Sequence, residues 1–144
     1  MSTEANKALI RRFYDEFFNK RNLNIVDELH TADFQHHDSG APDPGGGPEG
    51  YKQRNAMFLK AFPDRQVTID DLVAEGNKVV TRSTMRATQT GDLPGIKATG
   101  KKVVVTATII SRIQGGKIAE EWEDWNALGM LEQLGVVRSP WQAK

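Results

Sequence analysis

Between Lys117 and Gly135 the chain reads KIAEEWEDWNALGMLEQLG, and the six residues Glu120 to Trp125 hold four carboxylates and two of the three tryptophans. Acids beside large aromatics on one strand are the residues best placed to do chemistry. A carboxyl group walled by apolar side chains has its pKa raised by desolvation. A group titrating near neutral pH can take a proton from a substrate and give it back. Strand alternation puts Ile118, Glu120, Trp122 and Asp124 on one face and Ala119, Glu121, Glu123 and Trp125 on the other. Both faces carry acids and a tryptophan, so the pattern leaves open which one looks inward, and a bulge would exchange them. Glu120 and Glu121 also read as a solvated strand edge. Asp124 or Asn126 can cap the helix that follows. With Asn126 as the cap, Trp125 and Met130 occupy the positions of a hydrophobic staple. Glu123 is then the acid with the fewest structural duties.

Histidine is scarce: only His30, His36 and His37 occur. His36 shares a strand face with Phe34 and is the histidine to expect in a pocket. His37 points the other way, so the adjacent pair cannot easily share one ion, and no metal-ligand spacing appears elsewhere. Neither a metal nor another cofactor is expected. Asp38 can orient His37 or begin the turn after it. The stretch GGGPEG, Gly45 to Gly50, precedes a helix as phosphate loops do. It lacks the Lys-Ser/Thr of such loops and reads instead as a lid near a pocket mouth. There is no cysteine, which excludes disulfide and thiolate chemistry.

The elements that must position these residues follow from periodicity. A helix is expected from Thr3 to Asn19, with Leu9, Ile10, Phe13, Tyr14, Phe17 and Phe18 on one face and Ser2 or Thr3 as cap. A short helix covers Asn24 to Leu29, and a short strand Ala32 to His37. Asp38 to Gly47 forms a loop. A helix runs from Pro48 to Phe62, with Pro63 and Asp64 as its stop. The period then changes to two. Strands are expected at Gln66 to Ala74, Lys78 to Thr90, Lys101 to Gln114 and from Lys117 onward, the last pair joined at Gly115-Gly116. A helix from Ala127 to Leu134 closes the pattern. Helices gathered on one side of a largely antiparallel sheet define the α+β class. A long sheet curved around a helix leaves a cone-shaped hollow.

The 144 residues fit one domain, residues 1–144, large enough for a core and a small cavity. Lys plus Arg balances Asp plus Glu at 19 each, which argues against nucleic acid or an anionic membrane as partner. No segment is long and apolar enough to span a membrane, the N-terminal residues do not read as a secretory signal, and a cytoplasmic location is expected.

The series FYDEFFNKRN, DELHTADFQHHD, GPEGYKQ and GGKIAEEWEDWNALGMLEQLG resembles the SnoaL-like polyketide cyclases, members of the nuclear-transport-factor-two-like superfamily. The resemblance covers nearly the whole chain, and its C-terminal motif is the most specific part. It implies a cone-shaped α+β barrel around a deep apolar pocket. It also implies intramolecular aldol ring closure of a hydrophobic carbonyl compound, without metal or cofactor. The acid/base position matches Glu123, where the family usually has Asp, and Asp124 is one step away. The polar residue ending the first strand matches His36, followed by His37. The His and Gln that characterised cyclases carry on the neighbouring strand match Ile109 and Ala107. Expected substrate contacts are His37, Trp122, Phe58, Met85, Ile109, Ala107 and Tyr14. Two other readings stay open. One is an epoxide-hydrolase-like or isomerase-like member, with Arg82 or Arg86 supplying the arginine of a water-activating set. The other is a ligand-binding domain without turnover. A homodimer through the outward row Val104, Thr106, Thr108 and Ile110 is expected as well.

Overall fold

The computed structural model describes residues 2–41 and 45–141; positions 42–44 of the expected Gly- and Pro-rich loop lie outside the described residues. Helix α1 spans Thr3–Phe13, and the Ser2 side chain caps it by accepting from the Ala5 amide at 3.0 Å. It runs on without a break into a π-helical segment, Tyr14–Asn19. The Lys20 amide reaches back five residues to the Asp15 carbonyl at 2.9 Å, the wide turn typical of such segments. The expected single helix therefore ends where anticipated but widens over its last six residues.

Helix α2 (Ile25–Leu29) leads directly into β1 (His30–Asp38), which starts two residues earlier than the sequence suggests because His30 already has an extended backbone. Helix α3 spans Gly47–Ala61 with Pro48 in its first turn. Strands β2 (Gln66–Glu75), β3 (Lys78–Thr88), β4 (Lys102–Gln114) and β5 (Lys117–Trp125) follow, and α4 (Ala127–Gln133) ends the series.

The sheet order is β1-β5-β4-β3-β2. Strands β2 to β5 form an antiparallel meander, and β1 joins parallel to β5. Gly115 and Gly116 turn the β4–β5 hairpin with φ of +58° and +77°, a region open to glycine at little steric cost. The fold is thus mixed α+β, as expected. The sheet is open rather than a closed barrel: β1 and β2 are its two edges. Helix α1 packs on β2 and β3, the π segment on β2, and α3 on β1.

One irregularity decides which acids face the interior. Between β4 and β5 the register jumps, so that Ile113 faces Ile118 while Arg112 faces Glu120. Ala119 is the extra residue, and both Ile118 and Ala119 are buried. After this bulge Glu121, Glu123 and Trp125 point inward, whereas Glu120, Trp122 and Asp124 lie on the outer face. Without it, the inward Ile118 would bring the other set inside. Strand β5 is also flanked by β1 and β4, so the reading of Glu121 as a solvated edge residue is corrected: it is 1% exposed.

The interior has two apolar clusters. Phe13, Phe17, Phe34 and Tyr51 form the aromatic centre of the larger, with the Phe13 and Phe17 rings stacked at 4.9 Å and Phe17 on Tyr51 at 5.4 Å. The smaller gathers Phe62, Val103, Val105, Met130 and Leu134 where α3, β4 and α4 meet. The helix cap at α4 is Asn126, whose side chain accepts from Gly129 N at 2.9 Å, and Trp125 packs into the cluster that holds Met130.

Candidate active site

A cavity of about 110 Å³ lies between the inner faces of β3, β4 and β5, the π segment and α3. Two chain segments far apart in sequence deliver its central pair. In the parallel β1–β5 ladder His36 stands opposite Glu121 and Asp38 opposite Glu123. The His36 side chain reaches forward along the strand, and its Nε2 lies 3.0 Å from Glu123 Oε1. His36 is nearly sealed, at 7% side-chain exposure, and Glu123 keeps 22%. Glu123 therefore combines a hydrogen-bonded charge partner with access to the cavity.

Glu121 sits behind this pair. Its Oε2 accepts from Ser111 Oγ at 2.6 Å, while its Oε1 is buried with no hydrogen-bond partner. Burial pushes its pKa up to about 7, and the Glu123 charge adds to the rise, against the opposing pull of His36 and the Ser111 hydroxyl. Burial works against a charged His36, but the hydrogen bond to Glu123 outweighs it with help from the charges of Glu121, Glu123 and Asp38. The net result is a pKa above the ordinary imidazole value. The imidazolium is the form best fitted to donate to Glu123. Tyr14, on the same cavity wall, has its phenol pKa pushed well up by burial and then by Glu121 and Glu123, which keeps it neutral.

Asp38 holds the β1 end of the site. Its Oδ1 accepts from Trp125 Nε1 at 2.7 Å and from the amides of Gly40 at 2.7 Å and Ala41 at 3.2 Å. Its Oδ2 pairs with Arg54 at 2.7 Å, with side-chain exposures of 3% and 9%. The Trp125 ring presses on Gly40 so closely that a Cβ there would overlap it, which explains the glycine. Asp38 thus begins the turn and does not orient His37.

His36, Asp38 and Glu123 offer donor atoms within 4.8 Å of one another, a spacing a cation could bridge. Asp38 is already engaged by Arg54, an indole and two amides, and the Arg54 cation opposes a second positive charge there. The set fits ion pairing within the protein better than metal binding.

Of the residues anticipated from sequence, Glu123, His36, Tyr14, Phe58, Met85, Ala107 and Ile109 come together around the cavity. Three do not. Asp124 is exposed on the outer face opposite Thr108. Trp122 is 38% exposed and stacks on His37 at 5.6 Å, again outside. His37 bonds Glu120 across that face at 2.6 Å and borders a separate polar cleft near Gly45 to Gly47. The bulge at Ala119 is the physical reason for the first two. Arg82 and Arg86 are exposed as well and cannot supply a pocket arginine. The arginines at the cavity are Arg54 and Arg65, which sequence reasoning missed together with Asn55 and Ser83. Arg54 lies on α3 without a local signal. Arg65 follows the helix-stopping Pro63-Asp64 and looks like an ordinary loop cation. The only hint of buried Glu121 was the consecutive apolar pair Ile118-Ala119.

The family profile described as SnoaL-like polyketide cyclase matches residues 8–134. The chain belongs to the SnoaL-like polyketide cyclase family. Among solved structures, TsrD from Streptomyces laurentii is 28% identical, with a TM-score of 0.84 over 95% of this chain and 99% of that one. IdmH from Streptomyces antibioticus, described as a candidate polyketide cyclase, is 30% identical, with a TM-score of 0.77 over 91% and 99%. AclR from Streptomyces galilaeus, described as a candidate hydroxylase, is 27% identical, with a TM-score of 0.83 over 96% and 85%. No curated protein sequence gives a significant match. Chains with such different descriptions share one architecture, so the reaction must be argued from the site.

Proposed function

We propose that the chain is a cofactor-independent acid/base enzyme of the polyketide-cyclase type, acting on a hydrophobic carbonyl compound. The observation that carries this is the Glu123 carboxylate at the cavity wall, 3.0 Å from His36 Nε2. Glu123 takes a proton from a carbon flanked by carbonyls. The enolate carbon attacks a second carbonyl of the same molecule, forming the ring C–C bond. The resulting alkoxide recovers the proton from the Glu123 carboxylic acid, which closes the cycle with all atoms accounted for. His36, coming from β1, stands in for the polar residues absent at Ile109 and Ala107 on β4. Apolar walls such as Phe58 and Met85 exclude water and strengthen the electrostatics around the dyad.

The test does not need the natural substrate. Uptake of deuterium from D2O at the α-carbon of 1,3-diketone mimics reports proton abstraction directly. Wild-type protein accelerates the exchange and Glu123→Gln does not; equal rates in the two would sink the reading.

A second reading, ligand binding without turnover, is favoured by the apolar Ala107 and Ile109, the latter paired across the ladder with Glu123. A ligand retained in native mass spectrometry, with no exchange or product over time, would support it instead.

We also infer a homodimer through the outer sheet face. Val104 at 49%, Ile110 at 38% and Trp122 at 38% exposure form an apolar row with Thr106 and Thr108 between them. Arg82, Thr108 and Asp124 lie side by side across three strands, so one face carries a cation and an anion flanking the row. A two-fold axis could bring these opposite charges together.

A further inference from the structure

Arg65 is buried, at 4% exposure, and lines the same cavity as Glu123. Its backbone is fixed: the Arg65 amide donates to Phe62 O at 3.1 Å, and its carbonyl accepts from Arg21 Nη2 at 3.0 Å. Only one corner of its guanidinium is used. Nη1 donates to Asn55 Oδ1 at 3.1 Å, and Asn55 is itself oriented by its Nδ2 bond to Tyr51 O at 3.0 Å. The plane lies over the Phe18 ring at 4.9 Å. Nε and Nη2 are buried and have no hydrogen-bond partner. These two nitrogens share one edge of the guanidinium and present parallel N–H donors, the fork that matches a planar oxyanion.

Among the described residues no carboxylate forms an ion pair with Arg65, whereas the other buried cation at the cavity, Arg54, has Asp38. A cation removed from water without a counter-charge is strongly unfavourable. Burial lowers the Arg65 pKa to about 10, with the Arg21 cation acting in the same sense and Tyr51 and Glu123 in the opposite one. Arg65 lines the cavity, so a group bound there is placed to pair the unused edge.

We propose that the Nε/Nη2 edge of Arg65 is an oxyanion subsite, and that the ligand of this cavity carries a delocalised planar oxyanion, a carboxylate or the enolate of a 1,3-dicarbonyl. The inference rests on the reading of this cavity as the substrate site. It adds a binding determinant to the cavity that holds the His36–Glu123 pair, so that the ligand is anchored by charge as well as meeting the base. In the enolate case Arg65 receives the negative charge that proton removal creates.

Binding of four probes, followed by calorimetry and by amide chemical shifts, tests this. Benzoate is compared with the neutral benzamide, and the dimedone anion with the neutral 3,3-dimethylcyclohexanone. Wild-type protein is expected to prefer the anion of at least one pair by about tenfold or more, as a charge-assisted bidentate contact requires. Preference within the first pair alone identifies a carboxylate ligand, and within the second an enolate. Arg65→Met removes the preference while neutral binding persists, and its thermal midpoint is unchanged or higher because a buried unpaired charge has been replaced by an apolar chain. Arg65→Lys, which keeps the charge and loses the fork, retains only part of the preference. Equal binding of anion and neutral form by wild-type protein overturns the proposal, as does an anion preference that survives in Arg65→Met. Glu123→Gln separates the two readings: it should keep the anion preference while losing proton abstraction, so either result can fail without the other.

Discussion

Glu123 and Asp124 are neighbours in the chain and stand on opposite faces of the sheet, the first bonded to His36 beside the cavity and the second exposed opposite Thr108. The pair offers an internal control, since the two acids share a strand and face opposite sides of the sheet. Glu123→Gln should lower catalysed α-carbon exchange by about a hundredfold or more, the usual contribution of a positioned general base. Asp124→Asn should leave the rate unchanged. Deuterium uptake by NMR reads both, and a loss confined to Asp124→Asn would refute the assignment.

Asp38 gathers the Arg54 cation, the Trp125 indole and two turn amides on one buried carboxylate. Removing one partner of a buried ion pair typically costs about 3–5 kcal/mol. Asp38→Ala should therefore lower the urea midpoint by the amount that loss implies at an unchanged m-value. A midpoint equal to that of wild type would show that the pair contributes nothing net.

The element order and the helix cap at Asn126 were legible in the sequence, because periodicity and capping are local signals; Tyr14, Phe58, Met85, Ala107 and Ile109, which line the cavity, were named through the family resemblance. The inward set of β5 was not. It depends on one extra residue, Ala119, and a bulge shifts every later side chain to the other face while leaving composition unchanged. Trp122 and His37 were assigned to the cavity by resemblance and proximity in sequence; the shifted parity of β5 places Trp122 outside, and plain alternation along β1 places His37 there, stacked on it. Arg65 and Glu121 were missed for a related reason. A buried charge looks like a surface charge until the tertiary contacts around it are known.

The outer sheet face predicts self-association. Ile110→Glu puts a charge in the middle of the row formed with Val104 and Trp122. Light scattering at micromolar concentration should show a dimer for wild-type protein and a monomer for the variant. The variant should retain its cavity, because Ile110 points away from it. A wild-type monomer removes the dimer inference.

Glu121 should make stability depend on pH in a way that Glu121→Gln abolishes. Its pKa is about 7 in the folded protein against 4.5 for the free side chain, raised chiefly by burial. Below the lower value both states hold the proton and nothing is lost. As pH rises between the two values the unfolded chain releases its proton while the folded protein keeps it, so stability falls; above the higher value the penalty is constant. His36, also raised, contributes stability below its ordinary value that is lost as pH climbs through the folded one. His30 runs the other way: burial lowers it to about 3, so protonation of the unfolded chain weakens the fold as pH falls below the ordinary histidine value. Wild-type curves therefore mix opposing slopes, but His30 cancels in the difference between wild type and Glu121→Gln. The amide can still accept from Ser111, whose hydroxyl lies 2.6 Å from Glu121 Oε2. Urea denaturation should find the two proteins about equally stable near about pH 4, with the variant ahead by on the order of 3 kcal/mol near about pH 8. A difference that stays constant across that range would mean that Glu121 does not change its ionisation on folding.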